Sequence, residues 1–175
     1  MTEIADMLDA ALQPGYRFSR SHTFDEEQVK AFALAAGDTN PLHHDADVAR
    51  GTRWGALIAS GTHTTSLLMG LTASHLTQKG CVLGMNFSFD LLRPIQATER
   101  VLLEWVVVSA AAHLTDGYVL ELEGTVKTAD ERTAVLAHGR VLLTAKNPPL
   151  TAPCRNPISA DHGIGTHAHA QAKTS

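Results

Sequence analysis

The stretch Met85-Asn86-Phe87-Ser88-Phe89-Asp90-Leu91 places an apolar side chain at every second position and a small or polar one between. Period two over that length predicts a strand with one face buried and the other wet. The segments downstream continue in the same vein. Val101 to Ser109 is apolar on both faces, which predicts a central strand. Tyr118, Leu120, Leu122 and Val126 alternate after a turn at Asp116-Gly117. Val135, Ala137, Val141 and Leu143 do so after Ala129-Asp130-Glu131. Strands this long, joined by short turns, predict one antiparallel sheet.

Upstream the period becomes helical. From Ser60–Thr62 onward, Leu67, Leu68, Leu71 and His75 share a face with Thr64 one turn earlier, and Gly80 closes the segment. It is nearly free of charge, which predicts burial on most sides. Before it, Thr23-Phe24-Asp25-Glu26 has capping-box spacing, and the helix it opens puts Val29, Phe32, Ala33 and Ala36 on one face. Gly37 suits the left-handed cap of that helix. Tyr16 to His22 reads as a strand, and Met1 to Leu12 as a short amphipathic helix ended by Gln13-Pro14-Gly15. A buried helix with a strand before it and a meander after it predicts an α+β fold, a curved antiparallel β-sheet wrapped around a central α-helix.

The chain has 175 residues, enough for one domain with a real core. The predicted division is a single domain over 1–146, N-terminal helix included, and a Pro/His-rich extended tail over 147–175. The tail has almost no large apolar residues and cannot offset its ordering entropy; its His162, His167 and His169 read as solvated. Fourteen Lys plus Arg against 18 Asp plus Glu leave a net charge of -4 and no concentrated basic face, which argues against nucleic acid. The most apolar stretch, Val101 to Ala112, carries Glu104 and is too short to span a bilayer, so no membrane partner is expected. The N-terminus lacks the pattern of a secretory signal, and cytoplasmic is the reading. Cys81 and Cys154 match no zinc or redox spacing and read as free thiols.

Between the two helices lies Gly37-Asp38-Thr39-Asn40-Pro41-Leu42-His43. An Asp that can polarise a water and a His that can move a proton, held on a stiff turn, suit general acid–base chemistry. Asp beside Gly and Asn-Pro also caps turns through its side chain, so both roles stand. His44 is a rival for the imidazole, since either ring titrates near ~6.5 when unperturbed. His43, His44, Asp45 and Asp47 invite a metal reading, but their spacing on consecutive loop residues is not that of zinc sites, and no metal is expected. Ser60-Gly61 is not a nucleophile elbow, because Ile58 stands where glycine is needed.

That heptapeptide, placed after a helix, makes the chain resemble the MaoC-like dehydratases, the (R)-specific enoyl-CoA hydratases of the hot-dog fold. Ile58-Ala59-Ser60-Gly61 and Leu83-Gly84-Met85-Asn86-Phe87-Ser88-Phe89 extend the likeness, which runs from Tyr16 to Lys146. The resemblance implies a lyase of fatty acid metabolism that adds water to trans-2-enoyl-CoA with no cofactor beyond the CoA thioester. It implies that Asp38 and His43 are catalytic and that the Gly61 N–H serves the oxyanion hole, a role that suits a helix N-terminus. It further implies substrate contacts at Asn40, Pro41, Ser60, Thr62 and His63. His63 also fits a hydrogen-bonded packing role. The family's helix serine falls at Met69, where Thr65 or Ser66 are the nearest substitutes, and its usual His-Gly is Ser60-Gly61 here. Arg50, Arg53 and Arg93 are the candidate grips for the CoA diphosphate. The expected partners are an acyl-CoA substrate and a second copy of the chain, as a homodimer or higher oligomer. A hot-dog thioesterase and a non-catalytic acyl-CoA-binding domain are the alternatives.

Overall fold

A computed structural model of the chain describes residues 13–113 and 117–144. The expected helix at Met1–Leu12, the tail and Cys154 lie outside them. Five strands form one open, wholly antiparallel sheet in the order β1-β3-β4-β5-β2. They are β1 (Arg17–Thr23), β2 (Cys81–Leu91), β3 (Arg100–His113), β4 (Gly117–Thr128) and β5 (Thr133–Thr144). Helix α1 (Glu26–Ala35), a 3-10 turn (Pro41–His43), α2 (Ala46–Arg50) and α3 (Gly61–Leu76) all come between β1 and β2. The sheet with its central helix is the hot-dog architecture expected from the sequence.

Alternation places the core. Val101, Leu103, Trp105 and Val107 of β3 are buried, as are Leu120, Leu122 and Val126 of β4 and Val135, Ala137, Val141 and Leu143 of β5. Trp105 fastens the central helix to this face, its Nε1–H donating to the Leu68 carbonyl of α3 at 2.8 Å. The indole needs two glycines beside it. A Cβ on Gly124 would come within 2.6 Å of the ring, and one on Gly139 within 3.1 Å. Either would force a rigid aromatic to move in a close-packed core.

Three expectations change. Helix α1 is capped by Asp25, whose carboxylate accepts from the Gln28 N–H at 2.9 Å, and not by Thr23. The β1–β3 ladder claims Thr23 as a strand residue, and Phe24 is drawn into the core, so the helix starts later. Tyr118 lies on the exposed face while Val119 is buried, a shift in phase near the start of β4. Within this chain α3 is buried on one side only, through His63, Thr64, Leu68, Leu71, Thr72 and Leu76; Met69 and Gly70 face outward. The end of α1 is as expected. Gly37 takes φ 70°, its N–H donating to Leu34 O and that of Asp38 to Ala33 O, the paired bonds of a Schellman cap.

Candidate active site

The cap on α1 delivers Asp38 to the turn. One carboxylate oxygen, Oδ1, accepts the Asn40 N–H at 3.0 Å, so Asp38 does cap its own turn. The other, Oδ2, stands 3.5 Å from His43 Nε2. The structural and chemical readings of Asp38 are therefore compatible, since each uses a different oxygen. Asn40 caps the 3-10 turn in the same way, accepting from Leu42 N–H at 3.1 Å, and Pro41 occupies its first position. Proline suits that position, because its fixed φ fits and its missing N–H would have had no partner.

His43 is buried, and its Nδ1 lies 2.8 Å from the Ile58 carbonyl. A carbonyl only accepts, so Nδ1 carries a proton, and the tautomer this selects when the ring is neutral has its lone pair on Nε2, the nitrogen nearer Asp38. The carbonyl that does this is itself fixed. Ile58 N–H donates to Leu42 O, Ala59 N–H to Ile95 O and Ala97 N–H to Leu57 O, stitching the Leu57–Ala59 segment between the 3-10 turn and the Ile95–Ala97 stretch. His44, the rival ring, turns the other way and sets Nε2 on the Asp38 backbone carbonyl. Asp45 caps α2 and Asp47 pairs with Arg50, so the local His/Asp cluster is occupied by backbone and surface contacts.

Helix α3 begins at Gly61 with Ser60 as its N-cap, Ser60 Oγ accepting from His63 N–H at 3.2 Å. His43 and Gly61 line one cavity of about 340 Å³, so an imidazole and a helix N-terminus face the same space. Thr64 lines it as well. The sequence reading missed that hydroxyl, although its spacing from Gly61 sets it one turn into α3 on the buried face. Met69, the position matched to the family serine, is 40% exposed and does not line the cavity. A Cβ on Gly61 would lie 2.5 Å from Leu91 Cδ1, which shows how closely the end of β2 covers the helix start.

The remaining expected contact residues lie elsewhere. Pro41 lines an outer groove with Asp38 and His44, and Asn40 and Thr62 are exposed. Ser60 is buried, with Oγ 3.0 Å from Thr62 Oγ1. His63 stacks on Phe32 at 4.3 Å between ring centroids and meets Phe24 edge-on at 5.1 Å. Its Nδ1 is buried and has no hydrogen-bond partner among the described residues; the same is true of Nε2 of His22, whose ring is 6.3 Å away. Burial disfavours the charged form of His63 and holds its pKa below the ordinary histidine value; His22 adds repulsion and Asp25 opposes the shift. His22 is lowered likewise, by burial first and then by Arg20, against Asp25.

Residues 9–116 match the sequence profile of the MaoC like domain. The chain belongs to that family. It is 29% identical over 140 residues to 3-hydroxyacyl-thioester dehydratase Z of Mycobacterium tuberculosis, covering 74% of this chain and 93% of that protein. It is 35% identical over 95 residues to the (R)-specific enoyl-CoA hydratase of Aeromonas caviae, covering 54% of this chain and 69% of that protein. The solved (R)-hydratase from A. caviae involved in PHA biosynthesis superposes with a TM-score of 0.68 at 28% identity, over 76% of this chain and 98% of that one. The family and fold named by the motif are thus those of hydratases and dehydratases. No helix among the described residues is long and apolar enough to cross a membrane.

Proposed function

We propose that this MaoC-like protein is an acyl-CoA hydratase/dehydratase, reversibly adding water to a trans-2-enoyl-CoA to give a 3-hydroxyacyl-CoA. The observation that carries the reading is the pairing of His43 Nε2 with Asp38 Oδ2 at 3.5 Å, beside the cavity that His43 shares with Gly61. That separation is too long for a direct hydrogen bond. Both atoms are acceptors, so a water beside them can donate one proton to each. As its oxygen bonds to C3 of the enoyl group, His43 Nε2 takes up the proton it loses while Asp38 accepts a hydrogen bond from the O–H that remains, and His43 then delivers that proton to C2. One water is consumed, and both side chains return to their starting states. The electron pair displaced from the double bond reaches the thioester oxygen, where the Gly61 N–H and the positive end of α3 stabilise it. The relative named an (R)-specific enoyl-CoA hydratase supports (R) stereochemistry here.

We also infer a homodimer. β2 is an edge strand, and Leu83 (51% exposed), Met85 (38%) and Leu91 (57%) leave it with apolar side chains on view. An edge of this kind pairs readily with another chain, and a second copy offers the matching strand.

Loss of enoyl absorbance across a panel of trans-2-enoyl-CoAs, run with a free-thiol assay and with Asp38→Asn, tests the reading. Absorbance loss without thiol release, abolished by the substitution, is the expected result. Thiol release would make the protein a thioesterase instead. Binding of enoyl-CoA without turnover would make it a non-catalytic domain.

A further inference from the structure

Of the three arginines named from sequence, the structure separates one from two. Arg50 is taken by Asp47 at 2.5 Å. Arg53 and Arg93 line the cavity that holds His43 and Gly61, and neither forms an ion pair among the described residues. Among the described residues no Asp or Glu lines that cavity. Two guanidinium groups, always charged, therefore face it without compensation in a chain whose net charge is -4.

Their placement is directional. The inner wall is apolar, with Ile58, Ala59, Ile95 and Val135 between 1% and 9% exposed, whereas both arginines are exposed at the mouth. Arg53 sits over the Trp54 ring, its Cζ 4.1 Å from the centroid, which steadies the guanidinium. The Arg93 backbone N–H is tied to Ala134 O of β5, and Arg93 follows Leu91, the residue in contact with the start of α3, by two positions.

We propose that Arg53 and Arg93 form a clamp for the phosphate of the pantetheine arm that carries the acyl thioester. The acyl chain enters the apolar end and the thioester meets Gly61. The arm then leaves through the mouth, where its phosphate lies well away from the reacting carbons. Guanidinium groups take phosphate oxygens through paired N–H donors. This identity of the ligand rests on the hydratase reading. A phosphate at that point is common to coenzyme A and to the phosphopantetheine of a carrier protein.

One acyl group on three carriers tests the clamp: trans-2-butenoyl-CoA, the same thioester on phosphopantetheine, and the same on unphosphorylated pantetheine. In the wild type, kcat/KM is expected to favour both phosphorylated thioesters. In Arg53→Met/Arg93→Met that preference falls by roughly 10- to 100-fold, through KM and not kcat, as expected for lost charge-assisted hydrogen bonds. Equal dependence for phosphopantetheine and CoA places the contact on the shared phosphate; dependence for CoA alone overturns that assignment. An unchanged preference overturns the proposal. So does an arginine-dependent gain for a pantetheine thioester whose acyl chain ends in a carboxylate, which would put the clamp at the acyl end. Calorimetric titration with free CoA keeps the two readings apart. CoA binding that the double substitution weakens, without hydration of any thioester, leaves the clamp standing and removes the hydratase. No CoA binding by the folded wild type overturns the clamp.

Discussion

His43 and His63 are equally buried, 6% exposed each, and both border the start of the central helix, yet their surroundings differ in every respect that matters for chemistry. The His43 ring is held by the Ile58 carbonyl on one side and faces a carboxylate on the other. The His63 ring is held by the faces and edges of Phe32 and Phe24, and its Nδ1 meets no hydrogen-bond partner among the described residues. Burial alone does not prepare an imidazole for proton transfer. What prepares it is an acceptor that fixes the tautomer and a charged partner within reach of the other nitrogen.

The sharpest way to break this comparison is substitution in parallel. His43→Gln is expected to lower the turnover of enoyl-CoA about 10²- to 10⁴-fold, the usual worth of a general acid–base group, with little change in Tm. His63→Phe keeps the aromatic packing, removes the unpartnered nitrogen and is expected to retain most of its turnover. Equal losses in the two variants would show that the difference in surroundings has no functional weight.

A second effect comes from the aromatic cluster. His22 and His63 have folded pKa values lowered from 6.5, chiefly by burial. As pH falls below that value, the unfolded chain takes up protons before the folded one does. The contribution to stability is therefore full above the ordinary pKa and is lost toward the lowered values. Thermal unfolding between roughly pH 7 and pH 5 should show Tm falling in the wild type, with a shallower slope in His63→Phe. An identical slope would move the acid sensitivity to other groups.

The smallest expected effect concerns support of the His43 turn. Asn40→Ala removes the cap that accepts from Leu42 N–H. It should cost about 1 kcal/mol of stability, read as a lower midpoint in urea, with a modest fall in turnover because the 3-10 turn carries His43. Unchanged turnover in a destabilised protein would show that the Ile58 carbonyl holds the ring unaided.

The sheet was legible because its strands write their period directly: Val135, Ala137, Val141 and Leu143 could bury only one way. The start of α1 was misread because Thr23 and Asp25 are both good caps, and the choice between them is made by the ladder to β3 far along the chain. The same holds within the site. The motif predicted Asp38 and His43 and the resemblance added Gly61; the structure sets Asp38 beside His43, and His43 and Gly61 on one cavity. No local pattern, however, could tell His63, packed among rings from β1 and α1, from a residue facing the cavity. The Asp47–Arg50 pair has the i,i+3 spacing of helix neighbours, but only the fold shows that Arg53 and Arg93 share the cavity with His43.

The stitched segment Leu57–Ala59 has a consequence for exchange with solvent. The peptide groups that hold the His43 tautomer are the same ones that tie this stretch to Leu42 and Ile95. Deuterium can reach the Ile58 and Ala59 amides only when those bonds open, and the same opening frees the imidazole from its carbonyl. The exchange rate of two amides thus times how often the imidazole loses its orientation, in the resting protein and with no substrate present.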